Sequence, residues 1–209
     1  MKIKKFIISN LSQSVVVLLA IVSATFLISC NDEDPVKEDT PELITKATLT
    51  FTPAGGGTSV IVSATDPDGE GVQDLIIDGP INLAASKTYT LTVELINQLV
   101  APTDPEYDIT KEVKEEGDEH LFFFAWTDNV FSDPSGNGNV DNRVDKINYN
   151  DEDDTGLPIG LSTTWTTFGS SAAGTFRIIL KHQPEQKSAS SDQTMGDTDL
   201  DLTFTINVN

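Results

Sequence analysis

The chain contains only two histidines. His182 continues the Phe176, Ile178, Leu180 face at the end of an alternating stretch, and His120 opens the face carrying Phe122, Phe124 and Trp126. If both stretches are strands paired antiparallel, the start of one lies beside the end of the other, and the imidazoles meet at one end of the sheet. Glu115, Glu116, Asp118 and Glu119 crowd that end. Two imidazoles and a carboxylate suit zinc or copper, so His120, His182 and Glu119 are the candidate ligands. Rim histidines hydrogen-bonded near loops are the simpler alternative, and two imidazoles could also ligate a haem.

Acidic loops are the other candidates. Asp66-Pro67-Asp68-Gly69-Glu70-Gly71 resembles the Asp-rich turns of calcium-binding bacterial immunoglobulin-like and cadherin-like domains, which makes Asp66, Asp68 and Glu70 candidate calcium ligands. Asp151-Glu152-Asp153-Asp154-Thr155-Gly156 begins like an EF-hand loop, with Asp151 and Asp153 at alternate positions and glycine sixth. Its twelfth residue is Ser162 rather than Glu, which excludes full EF-hand coordination. As ordinary Asp/Gly turns both segments need no ion.

Signatures of catalysis are missing. Gly169-Ser170-Ser171-Ala172-Ala173 lacks the closing glycine of a nucleophile elbow, and Gly136-Asn137-Gly138-Asn139 lacks the third glycine of a phosphate cradle. No enzyme is expected. The net charge of −20 argues against nucleic acid and against anionic lipid as partners, since both require a basic face.

The elements that would position these residues are strands. Ala47, Leu49 and Phe51 alternate with threonines; Val60, Val62 and Ala64 follow across Gly55-Gly56-Gly57; Tyr89, Leu91, Val93 and Leu95 mark a long strand. Ile109 to Glu116 reads as a polar strand, and His120 to Trp126, apolar on both faces, as a central one. Leu161 to Phe168, Gly174 to His182 and Thr198 to Val208 complete the set. No stretch after residue 30 shows a helical period. The expectation is all-β: one antiparallel β-sandwich, immunoglobulin-like, over residues 46–209.

The N-terminus supplies an address. Lys2, Lys4 and Lys5 precede an uncharged, mostly apolar Val15 to Ile28, too short to span a membrane. Leu27-Ile28-Ser29-Cys30 resembles the bacterial lipobox, in which the cysteine is lipidated, and Cys30 is the only cysteine. This predicts a cleaved signal peptide over 1–29 and a lipidated, flexible acidic tether over 30–45. Cleavage removes three lysines and no acid, taking the net charge to −23. Asn31-Asp32-Glu33-Asp34 is similar to the acidic export signal of Bacteroidota surface lipoproteins, which implies a lipid-anchored protein of the outer membrane at the cell surface.

Asp118-Glu119-His120, Phe122-Phe123-Phe124-Ala125-Trp126, Pro134-Ser135-Gly136-Asn137-Gly138-Asn139, Leu157-Pro158-Ile159-Gly160-Leu161, Leu180-Lys181-His182-Gln183-Pro184 and Thr198 to Phe204 complete a wider resemblance. Together the chain resembles small outer-membrane lipoproteins of flavobacteria, a family loosely labelled "type 1 periplasmic binding fold superfamily". That label implies two α/β lobes, which the strand pattern opposes. The resemblance implies an accessory to a TonB-dependent receptor that captures or hands over a scarce nutrient, here a metal or metal complex. The alternative is an interaction module contacting a β-barrel partner or a polysaccharide without a small ligand.

Overall fold

In the computed structural model, residues 42–66, 75–141 and 145–209 are described. Cys30, the 1–29 signal segment, most of the 30–45 tether, Asp68 and Glu70 lie outside them. All the described residues belong to the compact unit Asp39–Asn209.

Among the described residues ten strands follow one another as their apolar spacing dictates: β1 (Lys46–Pro53), β2 (Val60–Thr65), β3 (Ile76–Ile77), β4 (Ile81–Leu83), β5 (Thr88–Ile96), β6 (His120–Trp126), β7 (Phe131–Asp133), β8 (Ser162–Thr167), β9 (Ala172–His182) and β10 (Asp197–Val208). They form a six-stranded sheet, ordered β3-β2-β1-β5-β8-β7, and a four-stranded sheet, ordered β4-β10-β9-β6. Leu49, Phe51 and Leu91 from the first and Phe122, Phe176 and Phe204 from the second share one buried core. Phe51 meets Phe176 edge-on across the sheets at 6.0 Å, and Trp165 packs edge-on against Phe176 at 5.1 Å.

Three expectations are corrected. The protein is not wholly antiparallel, because β4 runs parallel to β10, with Ile81 opposite Ile206. The predicted polar strand at 109–116 is instead a helix, α1 (Ile109–Glu115). Ile109 and Val113 share a face in either conformation, but a strand would have placed Lys111 on that face too. Asp108 caps the helix by accepting from Lys111 N. Thr110 Oγ1 accepts from Leu95 N at 2.7 Å and donates to Leu95 O at 3.0 Å, which pins α1 to β5.

The third correction concerns β6, which is an edge strand rather than a central one. Its two-sided burial comes from the chain that follows it. Phe122 N donates to Ile159 O, Phe124 N to Asn139 Oδ1 and Trp126 N to Asn137 O. Tyr149 Oη donates to Phe122 O at 2.7 Å. On the outer face, Val140 and Tyr149 cover Leu121, Phe123 and Ile179. The covering loop approaches so closely that a Cβ at Gly138, where φ is +110°, would collide with the Phe124 carbonyl. Loop residues thus satisfy the open edge that a bare strand would leave to solvent or to another chain.

Candidate metal centre

Strand pairing alone brings the histidines together. β6 and β9 are antiparallel with His120 directly opposite His182. Both side chains face inward and both are buried, 0% and 3% exposed. Their rings stack with centroids 4.6 Å apart and planes within 6°. The predicted meeting of the two imidazoles is found.

Each ring is oriented by a neighbour. His120 Nδ1 lies 3.1 Å from the Glu116 carbonyl oxygen, which can only accept. The proton is therefore on Nδ1, and Nε2 is directed inward, 3.7 Å from Asp199 Oδ2. His182 Nε2 lies 3.1 Å from Glu119 Oε2. A carboxylate accepting from one imidazole nitrogen fixes the ring and raises the basicity of the other, as it does behind metal-bound histidines.

The turn after α1 places the carboxylates. Glu116 caps α1 by giving its N–H to Glu112 O, and Glu119 N closes the turn onto Glu116 O. Glu119, expected as a ligand, holds His182; the carboxylate that joins the imidazoles is Glu116. Glu116, His120 and His182 offer ligand atoms within 4.8 Å of one another. Glu42, Glu112 and Glu116 form a second such set. Among the described residues these are the only such groupings. Alternation could not reveal Glu116 because its position depends on α1.

Asp199 enters by a β-bulge. The β9–β10 register slips between Thr198 and Leu200, making Asp199 the extra residue, and its side chain is fully buried. Burial pushes its carboxyl up to about 6, against the opposing influence of His182, the Glu42 backbone N–H and Lys181. Burial also raises Glu42 to about 8, helped by the charge of Glu112, a shared hydrogen bond with it, and the charges of Asp199 and Glu116. At neutral pH Glu42 therefore keeps a proton, which it shares with Glu112.

The EF-hand-like loop has another occupation. Asp151 Oδ1 accepts from Gly160 N at 2.9 Å and Oδ2 from Ser162 N at 3.2 Å. Asp153 accepts from Thr155 N, Thr155 Oγ1 and Leu157 N, and its Oδ2 meets Lys187 Nζ at 2.8 Å. Burial pushes Asp153 up, but Lys187, Thr155 and Leu157 outweigh it and hold the carboxyl at about 2. Lys187 also donates to Gly117 O, tying this loop to the turn that carries Glu116 and Glu119. Asp66 closes the start of β1 by donating its backbone N–H to Thr45 O at 2.8 Å. Neither Asp66 nor Asp151 nor Asp153 belongs to a three-ligand grouping among the described residues. Compared with known families, curated proteins and solved structures, the chain matches none.

Proposed function

We propose that this protein is a non-catalytic, lipid-anchored lipoprotein of the outer-membrane surface that holds a divalent transition metal, zinc or copper, between His120, His182 and Glu116. The observation that carries the metal reading is the convergence of two buried, stacked imidazoles and one carboxylate within 4.8 Å. Zinc bonds imidazole nitrogen at about 2.0–2.1 Å, which sets the ligand atoms of a tetrahedral site about 3.4 Å apart, so atoms at the 4.8 Å limit draw together by up to about 1.4 Å when the ion binds. The carbonyl behind His120 and the carboxylate behind His182 supply the orientation a metal-bound imidazole needs.

The scaffold in this reading is an immunoglobulin-like sandwich whose two sheets share one core, with the site at one end. Cys30 carries the lipid and the acidic segment after it provides the tether and the surface-export signal. Delivery to a TonB-dependent receptor rests on the family resemblance in the sequence. Calorimetric titration of full-length protein with zinc and copper tests the site, beside a His120→Ala/His182→Ala variant whose folding is checked by near-UV circular dichroism. Tight binding lost in the folded variant is expected; no binding by the wild type would overturn the reading. Palmitate labelling lost in Cys30→Ala tests the anchor.

A further inference from the structure

The ligand set of His120, His182 and Glu116 holds three atoms, and zinc in protein sites takes four. Three protein ligands leave one position to water or to an incoming molecule; a fourth from the chain closes the ion off. One more carboxylate stands beside the rings. His120 gives its Nδ1 proton to the Glu116 carbonyl, so the lone pair of Nε2 faces Asp199 Oδ2 across 3.7 Å. Two acceptors set face to face repel unless something positive lies between them. A shared proton would draw nitrogen and oxygen to about 2.7–2.9 Å. Ligand atoms around a tetrahedral zinc ion stand about 3.4 Å apart, much nearer to the spacing found.

The register of the sheet, not the alternation of its own strand, places Asp199 there. β10 turns Leu200 and Leu202 inward, and plain alternation would send Asp199 to solvent with Asp201. The bulge between Thr198 and Leu200 turns it in. Its side chain is 0% exposed, and neither carboxylate oxygen completes a hydrogen bond of ordinary geometry. A buried polar group in that state is costly. Asp199 stands outside the three atoms that already meet within 4.8 Å, so it has further to move than they do. With no firm hydrogen bond to break, its carboxylate can swing to the ion at little cost. Glu116 also lines a predominantly acidic surface cavity of about 190 Å³ with Glu106, Asp108, Glu112 and Glu115, which gives a cation its way in.

We propose that Asp199 is the fourth protein ligand, so that His120, His182, Glu116 and Asp199 enclose one bare zinc ion in a closed tetrahedral set of two nitrogens and two oxygens. This rests on the metal reading above and narrows it. Two carboxylates neutralise the two charges of the ion, which leaves the buried set neutral overall. A closed tetrahedron suits zinc rather than copper(II), which favours tetragonal surroundings. It leaves no position for an organic chelator, so the ligand is the naked ion and not a metal complex, and no bound water remains to be activated.

The test replaces zinc by cobalt(II) in the full-length protein, because four-coordinate cobalt absorbs visible light far more strongly than six-coordinate cobalt. Azide probes for an open position. Wild type should show strong cobalt absorption that azide leaves unchanged and that one zinc per chain abolishes. Asp199→Asn keeps the shape of the side chain. It should bind zinc about tenfold or more weakly, since losing even a residue behind a metal ligand costs about 10–100-fold, and azide should now shift its cobalt bands. Azide-sensitive or weak six-coordinate absorption in wild type overturns the fourth ligand and leaves the three-ligand site standing. Unchanged affinity and spectrum in Asp199→Asn do the same. Wild type that binds neither cobalt nor zinc overturns the metal reading itself. The wild-type azide experiment is decisive even if the variant fails to fold.

Discussion

Lys187→Met should destabilise the protein by about 3 kcal/mol or more and disturb the proposed metal centre without touching it. Lys187 and Asp153 are paired at 2.8 Å with side chains only 1% and 2% exposed. Pairing favours the charged form of both partners, but the net results differ: Asp153 is held at about 2, whereas burial lowers Lys187 despite Asp153. The pair is thus a balance of desolvation against attraction, and the loss on breaking it follows from the carboxylate left behind. Holding Asp153 at about 2 rather than its ordinary 3.8 corresponds to about 2.4 kcal/mol for the ionised form, at 1.36 kcal/mol per pH unit. Without Lys187 much of that is lost, and burial works against a charge supported only by the Thr155 and Leu157 hydrogen bonds, which brings the loss towards the range typical of a broken buried pair, about 3–5 kcal/mol.

The pH dependence has a definite sign. A depressed carboxyl contributes stability that is present above its unfolded pKa near 3.8 and lost as pH falls through about 2. The penalty of Lys187→Met should therefore be full at pH 7 and shrink between pH 4 and 2. Urea unfolding across that range, with zinc titration at pH 7, is the assay. Replacing both partners, Asp153→Asn with Lys187→Met, should recover much of the loss. A single-variant cost below about 1 kcal/mol at pH 7, or a double variant no better than the single, would refute the argument.

Asp199→Asn should stabilise the metal-free protein: a carboxyl raised to about 6 penalises folding increasingly from pH 4 to 6 and fully above, by up to about 3 kcal/mol at pH 7.5. Unfolding in chelator at pH 4 and 7.5 checks this, and a destabilised variant at pH 7.5 would contradict it. Asp108→Ala removes the cap of α1 and should cost about 1 kcal/mol; because α1 positions Glu112 and Glu116, calorimetry should show weaker metal binding as well. Gly138→Ala should destabilise by about 2 kcal/mol or more, from strain at positive φ and collision with the Phe124 carbonyl, and hydrogen exchange should rise at Phe124 and Trp126. Unchanged protection there would mean that the loop does not seal β6.

The strands and their inward faces were legible in the sequence because a two-residue period is a local property: Leu200, Leu202, Phe204, Ile206 and Val208 announce their side, and all five are buried. The same period, with antiparallel pairing, was enough to bring His120 and His182 together. What it could not show was set by contacts far along the chain. Ile109 and Val113 fit either a strand or a helix, and the Asp108 cap with the hold of Thr110 on Leu95 selected the helix whose C-terminal end brings Glu116 to the imidazoles. The run His120 to Trp126 signals burial on two sides but not what buries it; here Ile159, Asn139 and Tyr149 occupy the place a neighbouring strand was expected to fill. Asp199 sits in the last strand's alternation as a solvent-facing residue, and only the slip against β9 turns it inward. The sequence by itself determined which residues could ligate and which faces are apolar, since both follow from residue type and local spacing. Only the tertiary structure decided which carboxylates reach the histidines, because a helix, a turn and a bulge must each be fixed by residues elsewhere in the chain.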